Sequence, residues 1–429
     1  MTGGGVHVRP ARADELAQAG ALTAEAYHAD GLLDAEDDYE VELRDAVRRA
    51  AEAVLLVATV PGRPVEDDAP DSGPASDPAP EVVVGTLTIA PYGSSYAEVA
   101  EPGEVELRML AVAPEARQRG VAERLVTAAL REAVARGARR VVLSTLAEMV
   151  VARRLYQRLG FVAVPEREWH HEGVVLHVLT WDPPPAPGVL VEAATWVPAV
   201  TEVVDGWRLG LSDGFTRRAN SVLPLGGPPD LAATLDRVEE RYAAAGLPAV
   251  VRLCSAAPPG LAAELDARGY ADVAVTDVLV RDLVVAPPPH PHAPPDIRLR
   301  VHDRPDDAWL EGWLGVKAAS TPVDRGTARR VLEGSTALYL TATDRDGGVL
   351  AVLRVALAEG WAGLSCLVVA PHARRRGLGR LLTRAGLHSA ADRGARHAFL
   401  QVEVANRGAA DLYAAEGFLP AERYAYRQR

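Results

Sequence analysis

Residues 107–161 and 364–418 carry one pattern twice. Shifted by 257 positions, with no gap, 23 of the 55 aligned pairs are identical. The match includes Arg136-Gly137-Ala138-Arg139 against Arg393-Gly394-Ala395-Arg396, Leu155-Tyr156 against Leu412-Tyr413, and Gly160-Phe161 against Gly417-Phe418. Gly120 to Tyr156 and Gly377 to Tyr413 both span 36 residues. Solenoid units recur every ~20–50 residues, so this wider separation marks a duplicated domain. A chain of 429 residues has room for two or three domains with cores of their own.

The part of the repeat that suggests chemistry is the turn Pro371-His372-Ala373-Arg374-Arg375-Arg376-Gly377-Leu378-Gly379, after the apolar run 364–369. It opens a helix. Its glycines permit a tight turn that exposes backbone N–H groups at the positive end of the helix dipole, a setting for phosphate. The arginines add planar, bidentate donors. Alone, such a turn suits a solvated arginine loop equally well. The first copy repeats it as Pro114, Arg117, Gln118, Arg119, Gly120, Val121 and Ala122.

Each copy resembles the core of the GNAT superfamily of acyl-CoA-dependent N-acyltransferases. The resemblance rests on Arg374-x-x-Gly377-x-Gly379 and Arg117-x-x-Gly120-x-Ala122 between strand and helix, then Leu-Tyr ahead of Gly-Phe. It implies an α/β (α+β) chain of tandem GNAT folds, each a mixed, mostly antiparallel sheet flanked by helices. It also implies acetyl-CoA as cosubstrate, with no metal, and an amine attacking directly in a ternary complex. Pantetheine is then expected in a splayed gap between 364–369 and 399–404, and between 107–112 and 141–144. The expected cofactor contacts are Leu367, Val368, Val369, Arg374, Arg375, Arg376, Gly377, Leu378, Gly379 and Asn406. Their counterparts are Leu110, Ala111, Val112, Arg117, Gln118, Arg119, Gly120, Val121 and Ala122. Met149 stands where the second copy has Asn406. Tyr413 and Tyr156 match the tyrosine that protonates the departing thiolate, although either could simply pack on its helix face.

Acyl transfer to an amine also needs a route for the amine's proton. Glu403 at a strand end is the candidate base, with Glu106 as the first copy's equivalent choice and a water relay as the alternative. Neither Glu has a counterpart at the 257 offset, where Leu146 and Gly363 stand. The copies therefore share the cofactor half and not the acceptor half, and the amine stays unidentified. The complete turn, Asn406 and Tyr413 make the last domain the expected catalytic copy. The alternatives are a non-catalytic acyl-CoA-binding or sensing protein, or catalysis in the first copy with the last one regulatory.

A net charge of −12 argues against nucleic acid or an anionic membrane as the main partner. Cys254 and Cys366 are too few for a disulfide framework, and residues 1–5 lack a basic-then-apolar leader. A cytoplasmic protein is expected.

The expected order is a first GNAT domain over 1–182, with a Pro-, Asp- and Ser-rich mobile insert near 61–80. A stiff linker follows at 183–188, then a segment over 189–285, a Pro/His linker at 286–296, and a last domain over 297–429. The middle segment reads strand, helix, strand, helix, Gly-aromatic, strand, without the Arg-x-x-Gly-x-Gly turn. We read it as a degenerate GNAT-like half. Its Arg217-Arg218-Ala219-Asn220-Ser221 stretch before a GNAT core resembles a subgroup of actinobacterial acetyltransferases, some labelled N-acetylglutamate synthase-like. His290 and His292 read as linker residues, since no further ligands follow at metal-site spacing.

Overall fold

The computed structural model describes residues 5–33, 39–62, 81–171, 174–285, 288–289, 291–317 and 324–429. Most of the expected insert and His290 lie outside the described residues. The chain divides into two compact units, Met1–Pro183 and Pro184–Arg429.

In the first unit the strands are β1 (His7–Pro10), β2 (Val54–Pro61), β3 (Glu81–Pro91), β4 (Glu104–Val112), β5 (Arg140–Thr145), β6 (Val162–Ala163), β7 (Trp169–His171) and β8 (Val174–Trp181). They form one sheet in the order β1-β2-β3-β4-β5-β8-β6, with β7 paired to β8. The β4–β5 pair is parallel and its neighbours are antiparallel. Helices α1 (Leu16–Ala29), α2 (Tyr39–Arg44), α3 (Ala46–Glu52), α4 (Val121–Ala135) and α5 (Val150–Arg158) flank it. In α4, Leu125, Val126, Ala129, Leu130 and Ala133 are fully buried, one face at helical period. Residues 39–52 form two helices and not one, because Asp45 leaves helical backbone and its carboxylate caps Arg48 N at 3.0 Å.

The second unit starts with α6 (Val189–Thr195), β9 (Val200–Val204), β10 (Trp207–Leu211), β11 (Val222–Leu223), α7 (Leu231–Ala244), β12 (Val250–Leu253), α8 (Leu261–Ala267) and β13 (Ala271–Asp282). It continues with β14 (Arg298–His302), α9 (Asp307–Lys317), α10 (Arg325–Glu333), β15 (Ala337–Thr343), β16 (Val349–Ala358) and β17 (Trp361–Val369). Then come α11 (Leu378–Ala391), β18 (His397–Glu403), α12 (Arg407–Ala415) and β19 (Leu419–Gln428). All strands join one sheet, ordered β14-β15-β16-β17-β18-β13-β19-β12-β11-β10-β9.

That order revises the expected boundary at 286–296. In the first unit, β8 enters between β5 and β6 of its own segment. In the second, β13 enters between β18 and β19, and β19 lies between β13 and β12. Each half thus lends its last strand to the other. The shared core between them holds Val250, Val278, Val280, Phe399, Tyr424 and Tyr426. Buried Arg354 of β16 adds a polar tie, donating to Thr195 O at the end of α6 (2.9 Å) and Leu332 O in α10 (3.1 Å). Segments 189–285 and 297–429 are one unit because neither completes its sheet alone.

Candidate functional site

In both units the strand before the Gly-rich turn is bulged at one position. Thr86 pairs with Ala111 and Thr88 with Arg108, so Met109 and Leu110 together face Leu87. Likewise Val352 pairs with Val368 and Arg354 with Ser365, leaving Cys366 and Leu367 against Leu353. Met109 (φ 54°) and Cys366 (φ 57°) take left-handed backbone, a strained choice for residues with a Cβ. The bulge bends the strand away from its parallel neighbour. Pairing stops at Glu106–Val142 in the first unit and at Leu364–Leu400 in the second. Leu110, Ala111 and Val112, and Leu367, Val368 and Val369, therefore lie beyond the pairing with β5 or β18, while β3 or β16 still pairs Ala111, Val112, Val368 and Val369 on the other edge.

The turns that follow have matching backbones. A short 3-10 turn, Pro114–Ala116 or Pro371–Ala373, leads through extended Arg117 or Arg374 to left-handed Gln118 (φ 62°) or Arg375 (φ 64°). Gly120 (φ 75°) and Gly377 (φ 77°) then sit at the N-termini of α4 and α11. A Cβ built on either glycine meets nothing within 4 Å, so both face open space. Val121 and Leu378, the first helical residues, are buried. Gly379 differs: a Cβ there would contact Leu412 Cδ2 at 3.3 Å and Leu367 Cδ2 at 3.9 Å. It faces the protein, and Ala122 fills the same place in the first unit.

The arginines divide by role. Arg117 and Arg374 each turn Nε back to the strand-end carbonyl, Val112 O or Val369 O, at 3.4 Å. Arg117 also pairs with Asp30 at 2.8 Å, and Arg376 with Asp296 at 2.7 Å. Arg119 and Arg375 are exposed, and among the described residues neither has a carboxylate partner. They are the side chains with charge to spare for an anion.

Tyr156 and Tyr413 are 7% and 8% exposed. Burial pushes both phenols above the usual tyrosine range, so they hold their protons at neutral pH. The Gly-Phe pair explains itself: Gly160 (φ 91°) and Gly417 (φ 79°) close the helices, and Phe161 N and Phe418 N donate back to Tyr156 O and Tyr413 O at 3.0 Å. Phe161 then lies against Tyr156 and Phe418 against Tyr413, with ring centroids 5.5 and 5.8 Å apart. Part of the signature is therefore a helix stop that fixes the tyrosine.

Asn406 is exposed and caps α12 through Ala409 N at 3.3 Å, while Met149 offers α5 no side-chain cap. Glu403 ends β18, mostly exposed, and pairs with Arg217 at 3.0 Å. Glu106 is fully buried. Its Oε2 accepts from the backbone of Glu98 and Val99 at 2.8 Å and of Ala100 at 3.2 Å, so it anchors that loop. Sequence reasoning missed Arg217 as the partner of Glu403; the Arg217-Arg218 stretch was noticed, but no sequence pattern links it to β18.

Bulge, splay and left-handed turn, present in both units, define a tandem acyltransferase of the GNAT class. A profile of the acetyltransferase (GNAT) family matches residues 42–161. The chain belongs to the family described as "Probable histone acetyltransferase Rv0428c C-terminal", whose profile matches residues 191–427. It is similar to the uncharacterized N-acetyltransferase YobR of Bacillus subtilis (strain 168), 26% identical over 55% of this chain and 94% of that protein. Among solved structures it is similar to a GCN5-related N-acetyltransferase from Kribbella flavida. That match has 19% identity, a TM-score of 0.44, and covers 57% of this chain and 96% of the other. A tandem GNAT protein from the clavulanic acid biosynthesis pathway matches with 16% identity and a TM-score of 0.34, over 99% of this chain and 98% of the other.

Proposed function

We propose that this chain transfers an acetyl group from acetyl-CoA to a primary amine, with the second unit as the main catalytic copy. The observation that carries the reading is the splayed β17–β18 pair ending in the open left-handed turn at Arg375 and Gly377. The residues fit the coenzyme: an N–H-lined helix start with free space above Gly377 suits a pyrophosphate, and Arg375 adds a cation. Acetyl-CoA, when bound, supplies the activated thioester.

The chain's own groups then have three tasks. Backbone N–H groups from Leu367 to Val369, free of β18, orient and polarise a carbonyl lying in the splay. Tyr413 keeps its proton at neutral pH and delivers it to the departing thiolate. Glu403, held by Arg217, takes up the amine's proton directly or through water. Among the described residues no set of three or more His, Cys, Asp or Glu is placed to hold a metal.

A second reading puts catalysis in the first unit, and one observation favours it. Glu106 lies on β4, burial raises its carboxyl above the usual range, and Oε1 has no hydrogen-bond partner among the described residues. Protein amines are a natural first panel, since the family's description names a histone acetyltransferase. The test is release of free thiol from acetyl-CoA with a broad set of amines, including basic peptides. Measurable CoA binding with no thiol release for any amine tested sinks the transferase reading and favours a sensor.

A further inference from the structure

The middle half kept its sheet and lost its turn. The connection 224–230 carries no arginine, and Asp230 spends its own carboxylate on the start of α7, accepting from Ala233 N at 3.0 Å. A phosphate has no place there. Yet on the opposite face of that half-sheet, under α6, lies a cavity of about 180 Å³. Trp207, Leu209, Val222 and Val251 point the other way, into the core with α7 and α8. The cavity face presents Arg208 from β10, Arg252 from β12 and Tyr426 from β19, with Arg218 from the preceding loop. Glu192 of α6 and Trp196 just after it cover the top.

These side chains are built in and incompletely used. Glu192 and Arg252, 2% and 5% exposed, pair at 2.6 Å, and Arg252 lies 3.8 Å over the Tyr424 ring. Even so, Glu192 Oε1, Arg252 Nε and Tyr426 Oη meet no hydrogen-bond partner among the described residues. Buried polar atoms are rarely left so, because each costs free energy until a partner arrives. Arg208 and Arg218 have no acidic partner among the described residues; Arg218 stacks 5.3 Å from the Trp196 ring. With Glu192 and Arg252 cancelling, the lining carries two surplus positive charges and one acceptor oxygen in want of a donor.

The cavity runs from Arg208 on β10, five strand steps or about 24 Å from β18 at ~4.8 Å per step, to Tyr426 on β19, two steps from it, and Glu192 Oε2 accepts from Gln401 Nε2 of β18 itself. The volume is below the ~300–1,000 Å³ of drug-sized pockets, which excludes a nucleotide.

We propose that this cavity binds an amino-acid-sized carboxylate that also bears a hydrogen-bond donor. Arg208 and Arg218 take the carboxylate, and Glu192 Oε1 accepts from the ligand's ammonium or hydroxyl group. Inorganic phosphate fits less well, since its P–OH donor sits on the same phosphorus as the anionic oxygens and is not set apart from them to reach Glu192 while both arginines hold the charge.

Calorimetric titration of the full chain with L-serine, L-aspartate, L-arginine, lactate and malate, with acetate and phosphate as controls, tests it. At least one amino or hydroxy acid is expected to bind more tightly than both controls. Arg208→Gln and Arg218→Gln should each weaken that ligand about 10–100-fold, the range for a lost bond to a charged group. Both arginines lie at the cavity's accessible side, so the buried Glu192–Arg252 pair stays intact in these variants. No binding by any amino or hydroxy acid, phosphate binding best, or unchanged affinity in both variants would overturn the proposal.

Discussion

Replacing Gly377 by Ala separates what the turn does for the fold from what it does for a ligand. Gly377 sits at φ 77°, and left-handed backbone costs a residue with a Cβ roughly 1–2 kcal/mol. No steric term adds to this, because the new Cβ meets nothing within 4 Å. For a unit of this size that is a fall in Tm of roughly 2–4 °C per kcal/mol, visible but modest. The Cβ would, however, project into the space proposed for the pyrophosphate. Losing one or two backbone contacts to a charged group predicts CoA affinity weaker by about 10–100-fold. Gly379→Ala is the control. Its Cβ points at Leu412 and Leu367, with one 3.3 Å contact to a movable methyl group, and the first unit already carries Ala122 there. It should change affinity by less than about threefold, within a fraction of a kcal/mol. Titration of CoA into both variants, with melting curves alongside, reads the two effects apart. Equal loss of affinity in both, or none in Gly377→Ala, would refute the placement of the pyrophosphate at this turn.

Tyr413→Phe should lower turnover by roughly 10²-fold if it is the acid, within the general-acid range, while Tyr156→Phe leaves the main reaction nearly intact. The reverse pattern in a thiol-release assay would assign catalysis to the first unit. Acid stability offers a further check on that unit: Arg9 first, then Arg12, holds the buried Glu15 carboxyl down to about 2 from 4.5. A depressed carboxyl stabilises the fold above its unfolded pKa and loses that contribution as pH falls from 4.5 towards 2. Glu15→Gln should therefore cost up to about 3 kcal/mol near neutrality and flatten unfolding between those limits in urea titrations at stepped pH. Residues 297–429 expressed alone lack β13 and should be insoluble or unfolded, whereas co-expression with 184–285 should restore one soluble complex. A monomeric, cooperatively melting 297–429 fragment would contradict the shared sheet.

The turn, the helix after it and the paired tyrosines were legible because each depends on neighbours within a few residues. Glycine at a left-handed position, an apolar stripe at helical period and a Gly-Phe helix stop all announce themselves locally. The bulges did not, since Met109 and Cys366 are ordinary strand residues whose φ is imposed by partners on β3 and β16. Glu106 read as the first copy's candidate base, and only the loop from 98 to 100, folded back over β4, turns it into a buried anchor. The exchange of β13 and β19 was illegible for a different reason. Nothing in the residues of a strand says which edge it will join when two half-sheets both offer one.

That exchange bears on why a half without a cofactor turn persists in this architecture. In the first unit the central slot is filled locally by β8, so that sheet closes on its own segment. In the second unit the slot beside β18 is filled by Val278, Leu279 and Val280 of β13, all at most 5% exposed, and β19 fills the matching slot beside β12. Deleting the middle half would unpair a full edge of β18 next to the splay and expose Phe399 and Leu400. The turn, by contrast, is a loop whose Gly377 faces open space and not the core. Its absence from the middle half costs the sheet nothing, while loss of the half itself would unmake the sheet that carries the splay. The shared sheet is then reason enough for the middle strands to stay in place, since β18 and β12 each take a neighbour from the other half.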